Sequence, residues 1–479
     1  MNAHTKPLPF LKRRSGKTRR CSTSARFTAS SLQEISLAYT LYFVYNQSLW
    51  ITSSSHHPTK ITRQKESSTS FMWQLAKGKR DSIYTPAVLM IILIVGVSFL
   101  GLGFVMPLRA LYGREIGASS TEIGLMTGSF LLAGFLASPA IGWLSDRFGY
   151  KNVLWIGLLA HALLMLAYIP VQDPVLLIAI RALEGIASVS VLPPTRALMN
   201  TLAPRTRQGE ALGLLSASQT TGILIGPAVG ALLASQAGYI LSFVIASIPL
   251  VLAAIVTIIF LPSQRKQGDL SSSEEVEPVA FAGLFTRPLM LAYGLQVILM
   301  ITNGVVMAIW SLYMLDRGAS LPLIGLSYTT FALPIIFIAP FAGRLSDRYG
   351  RYWLFLLGLL LTGVIFYIYS LPAITAWAIV FISALEGATT SIARSALDGL
   401  LADVIPQQVK GKVQANFTAA GLIGNLLGAT FSGLLYGFST GLPFFVEAII
   451  CISASLVLLL PTFARQFQAA RPGIATDIP

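Results

Sequence analysis

The stretch GWLSDRFGYK, residues 142–151, sets Asp146, Arg147 and Lys151 among runs that are otherwise almost wholly apolar. It has an echo 201 residues on, GRLSDRYGR at 343–351. Extended upstream, 111–149 aligns with 312–350 without a gap and keeps 17 identities in 39 positions. LYGREIGASSTEIGL answers LYMLDRGASLPLIGL, and downstream RALEGIA (181–187) answers SALEGAT (383–389). Gly222 and Gly226 answer Gly424 and Gly428 at a shift of 202. Register held over so many landmarks means a duplicated unit, not a recurring turn.

The solvent of that unit follows from composition. Of 479 residues, 54% are hydrophobic and only 11% charged, against about a quarter charged in ordinary soluble domains. Several apolar runs reach the roughly 20 residues a helix needs to cross about 30 Å of hydrocarbon. The chain therefore reads as an all-α integral membrane protein, and soluble-enzyme classes are excluded. Cys21 and Cys451 lie far apart in unlike settings, so neither a disulfide framework nor a thiolate metal site is expected. His4, His56 and His57 fall near the start, and His161 stands alone in an apolar run, where it reads as a packing residue.

The net charge of +14 could suggest nucleic acid, but its location argues otherwise. The first 71 residues hold eleven Lys and Arg against Glu34 and Glu66, nine of the net charges, which leaves about +5 for the rest. This stretch is Arg- and Ser-rich, and its one apolar patch, ISLAYTLYFVYNQSLWI (35–51), is too polar and short to span. It fits a disordered cytoplasmic tail, an organellar transit peptide, or an extension ahead of a start at Met72.

Windows of about 19 residues give twelve spans. The first six fall near 87–109, 121–143, 153–171, 175–199, 213–235 and 240–261, and the second six near 288–313, 324–343, 353–371, 375–401, 414–437 and 442–461. The polar segment 263–287 separates the sets. The expected organisation is a basic extension (1–84), a six-helix bundle (85–262), a cytoplasmic linker (263–287), a second six-helix bundle (288–462) and a tail (463–479). Loops bearing Arg147 and Lys151, Arg205 and Arg207, Arg265 and Lys266, Arg348 and Arg351, and Lys410 and Lys412 share one side. The opposite loops carry no lysine and few arginines, Arg114 and Arg317 among them. The lysine/arginine bias makes the first side cytoplasmic, with both termini inside.

Twelve spans in two parallel repeats, with G-x-L-x-D-R-x-G after spans two and eight, resemble the major facilitator superfamily. The first copy supplies Gly142, Leu144, Asp146, Arg147, Gly149 and Lys151, and the second Gly343, Leu345, Asp347, Arg348, Gly350 and Arg351. The first departs at Tyr150, where the family usually carries a basic residue. By itself, such a turn could simply fix topology. A carboxylate at a span end could also meet the partly positive start of a neighbouring helix, and the resemblance implies a latch that holds one conformation. Span five carries Gly222, Gly226, Pro227 and Gly230, a spacing that puts the glycines on one helix face. That pattern can be a plain packing seam. It also resembles the antiporter motif of drug-efflux members, and only the first half has the full form, since span eleven reads Gly424, Gly428, Ala429 and Ser432. Gly101, Gly103 and Pro107 in span one are similar to tetracycline and multidrug exporters.

Three ionisable residues fall deep in spans: Arg181, Glu184 and Glu386. Charge near the bilayer centre costs about 2.5–3.5 kcal/mol on insertion scales, which makes each a functional candidate. Arg181 and Glu184 share a helix face at i, i+3 and can pair, and Arg181 with Gly185 resembles a motif of proton-coupled members. Glu386 is the repeat equivalent of Glu184, but Ser383 replaces the arginine, so the two carboxylates sit in unlike fields. Gln219, Thr220, Thr221, Gln296, Asn303 and Trp310 are candidates to line a central cavity or to act as interhelical glue.

These features imply a secondary transporter that exports a small hydrophobic or amphipathic compound in exchange for protons by alternating access. Its partners would be that substrate, protons and the bilayer of the cell membrane. No nucleic acid, cofactor or metal is implied, and the family acts mostly as monomers. Alternatives on the same fold are uptake of a sugar or organic acid, and a receptor that binds without moving its ligand.

Overall fold

Hydrocarbon offers no water to an exposed N–H or C=O, so an apolar chain of this kind satisfies its backbone within helices. The computed structural model describes residues 84–262, 284–405, 409–463 and 467. Of the two units of the chain, Met1–Gln74 lies outside the described residues and Leu75–Pro479 holds every helix named here. The expectations for the basic extension, most of the 263–287 linker and the end of the tail also lie outside them.

The helices are α1 (Pro86–Phe104), α2 (Leu108–Glu115), α3 (Ser120–Phe148), α4 (Tyr150–Ala167), α5 (Pro174–Val189), α6 (Leu192–Leu202) and α7 (Gln208–Phe260). Then follow α8 (Arg287–Asp316), α9 (Leu321–Tyr349), α10 (Arg351–Ser370), α11 (Ala376–Val404), α12 (Lys410–Phe438) and α13 (Leu442–Leu458). Ten apolar segments are long enough to cross a membrane. One of them, α7, has 53 residues, about 80 Å at 1.5 Å per residue, too long for one crossing. Gly238, at φ 78°, breaks it into two spans. With the 17-residue α13, the described residues contain twelve spans.

Starts and stops follow local chemistry. Ser119 and Glu122 form a reciprocal capping box at the start of α3, satisfying two backbone donors that would otherwise be orphaned. Asp173 caps α5, where Pro174 occupies the first turn and loses nothing by lacking an N–H there. Gly149 and Gly350 end α3 and α9 at φ 88° and 94°, a region that penalises any side chain.

Two spans read as continuous in sequence are interrupted. α1 stops at Phe104, and the chain turns through Val105–Pro107 before α2, with Met106 N–H donating to the Gly103 carbonyl at 3.1 Å. α5 and α6 meet at Ser190–Val191, ahead of Pro193 and Pro194. Prolines lack the donor that would carry the ladder through. The repeat-equivalent spans, α8 and α11, run unbroken.

Lipid tails are as apolar as leucine, so packing in a membrane relies on close approach of small residues. Within the first six spans α1 packs on α7, α3 on α5 and α4 on α7, and the second six repeat the plan as α8 on α12, α9 on α11 and α10 on α13. The two bundles meet through α3 with α12 and α7 with α9. At the first seam, a Cβ on Gly124 would lie 2.8 Å from the Gly433 Cα. At the second, Thr329 donates to the Leu224 carbonyl at 2.8 Å. These contacts gather toward one face. At the other face, the one holding the two charged turns, Gly142, Gly209, Gly213, Gly343 and Gly411 have open space beside them. The face that gathers these contacts is called here the joined face, and the one that carries the charged turns the basic face.

Candidate functional site

The densest polar feature lies inside the first bundle. Glu184, on α5, has no solvent exposure. Its Oε1 takes Arg109 Nη2 at 2.8 Å and faces His161 Nε2 at 3.2 Å, while Oε2 takes Arg181 Nη1 and the Tyr168 hydroxyl at 2.7 Å each. The broken first span places α2, and with it Arg109, against α5. Tyr168 is held by stacking on Phe243, centroids 4.8 Å apart, and the Arg181 guanidinium lies 4.1 Å over the Phe130 ring. An anion partner makes Nε2 the protonated nitrogen of His161. His161 Nδ1 and the Nε atoms of both arginines find no partner among the described residues. The Arg181–Glu184 pair expected from sequence is present. His161, read as packing, instead faces the carboxylate, and Arg109 had not been singled out at all. Both come from other helices, so no local spacing announced them.

The second bundle keeps half of this arrangement. Tyr369 donates to Glu386 Oε2 at 3.0 Å, as Tyr168 does to Glu184. Trp310 stands where Arg109 does, Thr362 where His161 does and Ser383 where Arg181 does. Glu386 is 2% exposed, and among the described residues no cation lies within ion-pair distance of it. A second acid missed in sequence, Glu447 on α13, is 1% exposed and accepts from Thr302 at 2.6 Å and from the Cys451 thiol at 3.4 Å. The signal was available, a glutamate inside an apolar span, but its repeat equivalent, Ala246, is silent.

The charged turns differ between copies. In the second, Arg351 donates to Asp347 Oδ1 at 2.7 Å, to Asp403 at 2.6 Å and to the Gly399 carbonyl at 2.7 Å, tying α9 and α10 to α11. In the first, Asp146 takes only a long 3.4 Å bond from the Tyr150 hydroxyl, and Arg147 lies over the Trp143 ring at 5.1 Å. Arg348 lies over Tyr349 in the same manner. Lys151 donates to the Ile258 carbonyl at 2.8 Å, and its repeat equivalent Tyr352 donates to the Leu458 carbonyl. A Cβ on Gly142 or Gly343 would meet no other atom within 4 Å among the described residues.

The span-five glycines form the α1–α7 seam. A Cβ on Gly222 would sit 2.7 Å from Leu100 N, one on Gly226 2.7 Å from Gly103 Cα, and one on Gly230 inside the Phe104 carbonyl. Pro227 is buried beside them, and a Cβ on Gly325 of α9 would lie 2.6 Å from its carbonyl oxygen. Gly424 and Gly428 make the same approach to α8. At the joined face, Asp316 accepts from Arg114 across the bundles and from the Tyr436 hydroxyl of its own bundle, both at 2.6 Å.

A cavity of about 530 Å³ opens on the inner wall of the second bundle, between α8, α11 and α12. Gln296 and Asn303 line it, as the sequence reading allows. Gln219 is half-buried on α7 and is not among its lining residues. Trp310 is also off its wall: it is 2% exposed, donates to Ser327 at 2.8 Å and packs edge-on to Tyr369. Its indole N–H is thus already satisfied within the bundle.

The Major Facilitator Superfamily model matches residues 91–304 and 292–476. A multidrug resistance protein, MdtG, of Serratia proteamaculans is 29% identical over 383 residues, covering 77% of this chain and 90% of that protein. The quinolone resistance protein NorA of Staphylococcus aureus is 23% identical over 368 residues, covering 76% and 93%. A solved bacterial homologue of the human lysosomal transporter Spinster, in an inward-facing, unoccupied conformation, superposes with a TM-score of 0.67 at 17% identity, covering 81% and 98%. A duplicated twelve-span fold with buried charge in its core and a polar cavity between helices, matched along nearly its whole membrane region, places the chain in the major facilitator superfamily of membrane transporters.

Proposed function

We propose that the chain exports a small hydrophobic or amphipathic compound in exchange for protons, with the basic face in the cytoplasm, both termini inside and the protein acting as a monomer. The observation that carries the coupling is the inequality of two repeat-related acids. Glu184 has two guanidiniums and a histidine around it, whereas Glu386 has one tyrosine hydroxyl and no counter-charge. An anion sealed from water without a cation is costly, so Glu386 suits a group that takes up and gives up a proton, and the Glu184 cluster suits a fixed pivot. The direction of transport is supported by relatives named for multidrug and quinolone resistance.

The two bundles, 85–262 and 288–462 with the 263–287 linker between them, rock about a midplane site. In this scheme the Arg114–Asp316 tie holds the outer side closed while the basic face is open. Closing that face brings the start of α12, with Lys410 and Lys412, toward the end of α3. Asp146 is then placed to exchange its long Tyr150 contact for a helix N-terminus and nearby cations. The second copy, already locked to Asp403, acts as the stiffer of the two turns.

The test is efflux from proteoliposomes under an imposed pH gradient, with and without a protonophore. Export should collapse with the gradient, and Glu386→Gln should abolish it. Gradient-driven export that persists in the Glu184→Gln, Glu386→Gln double variant overturns the coupling scheme. Gradient-driven movement in the opposite direction favours uptake.

A further inference from the structure

The cavity wall holds a guanidinium that makes no ion pair among the described residues. Arg394, on α11, lines the cavity, and its one hydrogen-bond contact is Nη1 to the Met300 thioether at 3.7 Å. A guanidinium carries five N–H donors, and a thioether is a weak acceptor. No carboxylate lies within ion-pair distance of Arg394 among the described residues. This exposed guanidinium contrasts with the buried arginines Arg109 and Arg181, both committed to Glu184. Asn425, from α12, reaches the same Met300 sulfur with Nδ2 at 3.9 Å, and its buried Oδ1 has no partner. Amide orientation is assigned from such networks, and either orientation leaves Asn425 with hydrogen-bonding capacity directed at the Arg394 site. Asn303 adds a second exposed amide from α8. Met300 and Asn303 sit near the middle of α8, at the depth where transporters of this plan hold their cargo.

We propose that this cavity takes an anionic amphiphile, its carboxylate or phosphate group on Arg394 and Asn425 and its apolar body on Met300, Phe417 and Leu422. A planar guanidinium beside an amide matches the bidentate oxygens of such a group. Asp398, one turn further along α11, lines the same wall, and Lys410 lines it at the start of α12. Asp398 feels the Arg394 charge from beyond ion-pair distance, and with Lys410 the wall holds two cations against one anion, a net positive charge. Asp398 also repels an anion at its own level and so favours the deeper position, between Arg394 and Asn425. The inference rests on the transport reading and names the chemical class of the cargo.

Binding can be measured whether or not anything is moved. The full chain, purified in a neutral maltoside detergent, is titrated with radiolabelled 2-naphthoate and competed with 2-naphthyl phosphate, 2-naphthylmethanol and (2-naphthylmethyl)trimethylammonium. One apolar body with four heads isolates the head group. The two anions should bind about tenfold to a hundredfold more tightly than the alcohol or the cation, the span of a charge-assisted hydrogen-bonded pair. Preference for carboxylate over phosphate, or the reverse, decides which anion the site is shaped for. Arg394→Gln should erase the anion preference, Arg394→Lys should retain part of it, and Asp398→Asn should strengthen it. Equal binding of all heads, preference for the cation, or an unchanged ranking in Arg394→Gln overturns the proposal. If Arg394→Gln does not fold, the wild-type ranking and Asp398→Asn decide. Anion binding through Arg394 without gradient-driven movement leaves this inference standing and removes the export reading. Export with no anion preference does the converse.

Discussion

Removing the Asp316 carboxylate should open the joined face. Asp316 ends α8 in the second bundle and accepts from Arg114 of the first bundle and from Tyr436 of α12. Arg114 lies across the interface between bundles, so the tie exists only while this face is closed, and its loss acts on that state alone. The Arg114 and Asp316 side chains are 44% and 22% exposed, so solvent screens the pair and its share is about 0.5 kcal/mol. The Tyr436 bond lies within the second bundle and is made in either state, so it drops out of the ratio. Asp316→Ala should therefore shift the closed-to-open ratio by about 0.5 kcal/mol, roughly twofold. Asp316→Asn keeps an acceptor but loses the charge and should shift it less, while Tyr436→Phe should leave the ratio nearly unchanged. Spin labels at Glu115 and Ser320, exposed positions flanking the tie on either bundle, report the distance across the face in a Cys21→Ser background. Cys451 is fully buried and does not compete for label. A distance distribution in Asp316→Ala that matches the parent would refute the assignment of this tie as a closing contact.

The Glu184 cluster and the first charged turn give further expectations. Glu184→Gln leaves two buried guanidiniums without their anion, and loss of one partner from such a set costs about 3–5 kcal/mol. Its melting temperature should fall well below that of Glu386→Gln, whose amide oxygen can still accept from Tyr369, and equal melting points would contradict the cluster. Tyr150→Arg should rebuild the i, i+4 pair that Arg351 makes with Asp347. Thr201 stands where Asp403 does, so the gain should stay near 0.5 kcal/mol in thermal unfolding, far short of a full three-way lock.

How much of this was readable in the chain depends on how far each partner lies in sequence. The spans, the duplication and the two charged turns were legible because lipid demands long apolar runs and the repeat keeps register over some two hundred residues. Arg181 and Glu184 were legible because they share one helix face. Arg109 and His161 were not, since their meeting with Glu184 depends on the breaks and packing of three separate helices, 75 and 23 residues away. The break at Val105–Pro107 was hinted at by Gly101, Gly103 and Pro107, but glycine and proline are frequent in membrane helices and the hint does not separate a kink from a seam. Arg394 lay in plain view within span ten. It is distinguished only by what it fails to touch, and that is a property of three dimensions.

The ties made by Lys151 and Tyr352 bear on how the halves could drift apart. Each side chain starts its span, and each donates to the last turn of the final helix of its own bundle, Ile258 in one and Leu458 in the other. An ammonium and a phenol share almost nothing except an available proton. The receiving atom is main-chain oxygen, present whatever residue occupies that position, so a mutation on the receiving helix leaves the acceptor in place. A joint of this form requires only that one partner keep a reach and a donor. After duplication it could be re-made from different chemistry in either copy, while the side-chain-to-side-chain lock at Asp347, Arg351 and Asp403 could persist only where all three residues were kept together.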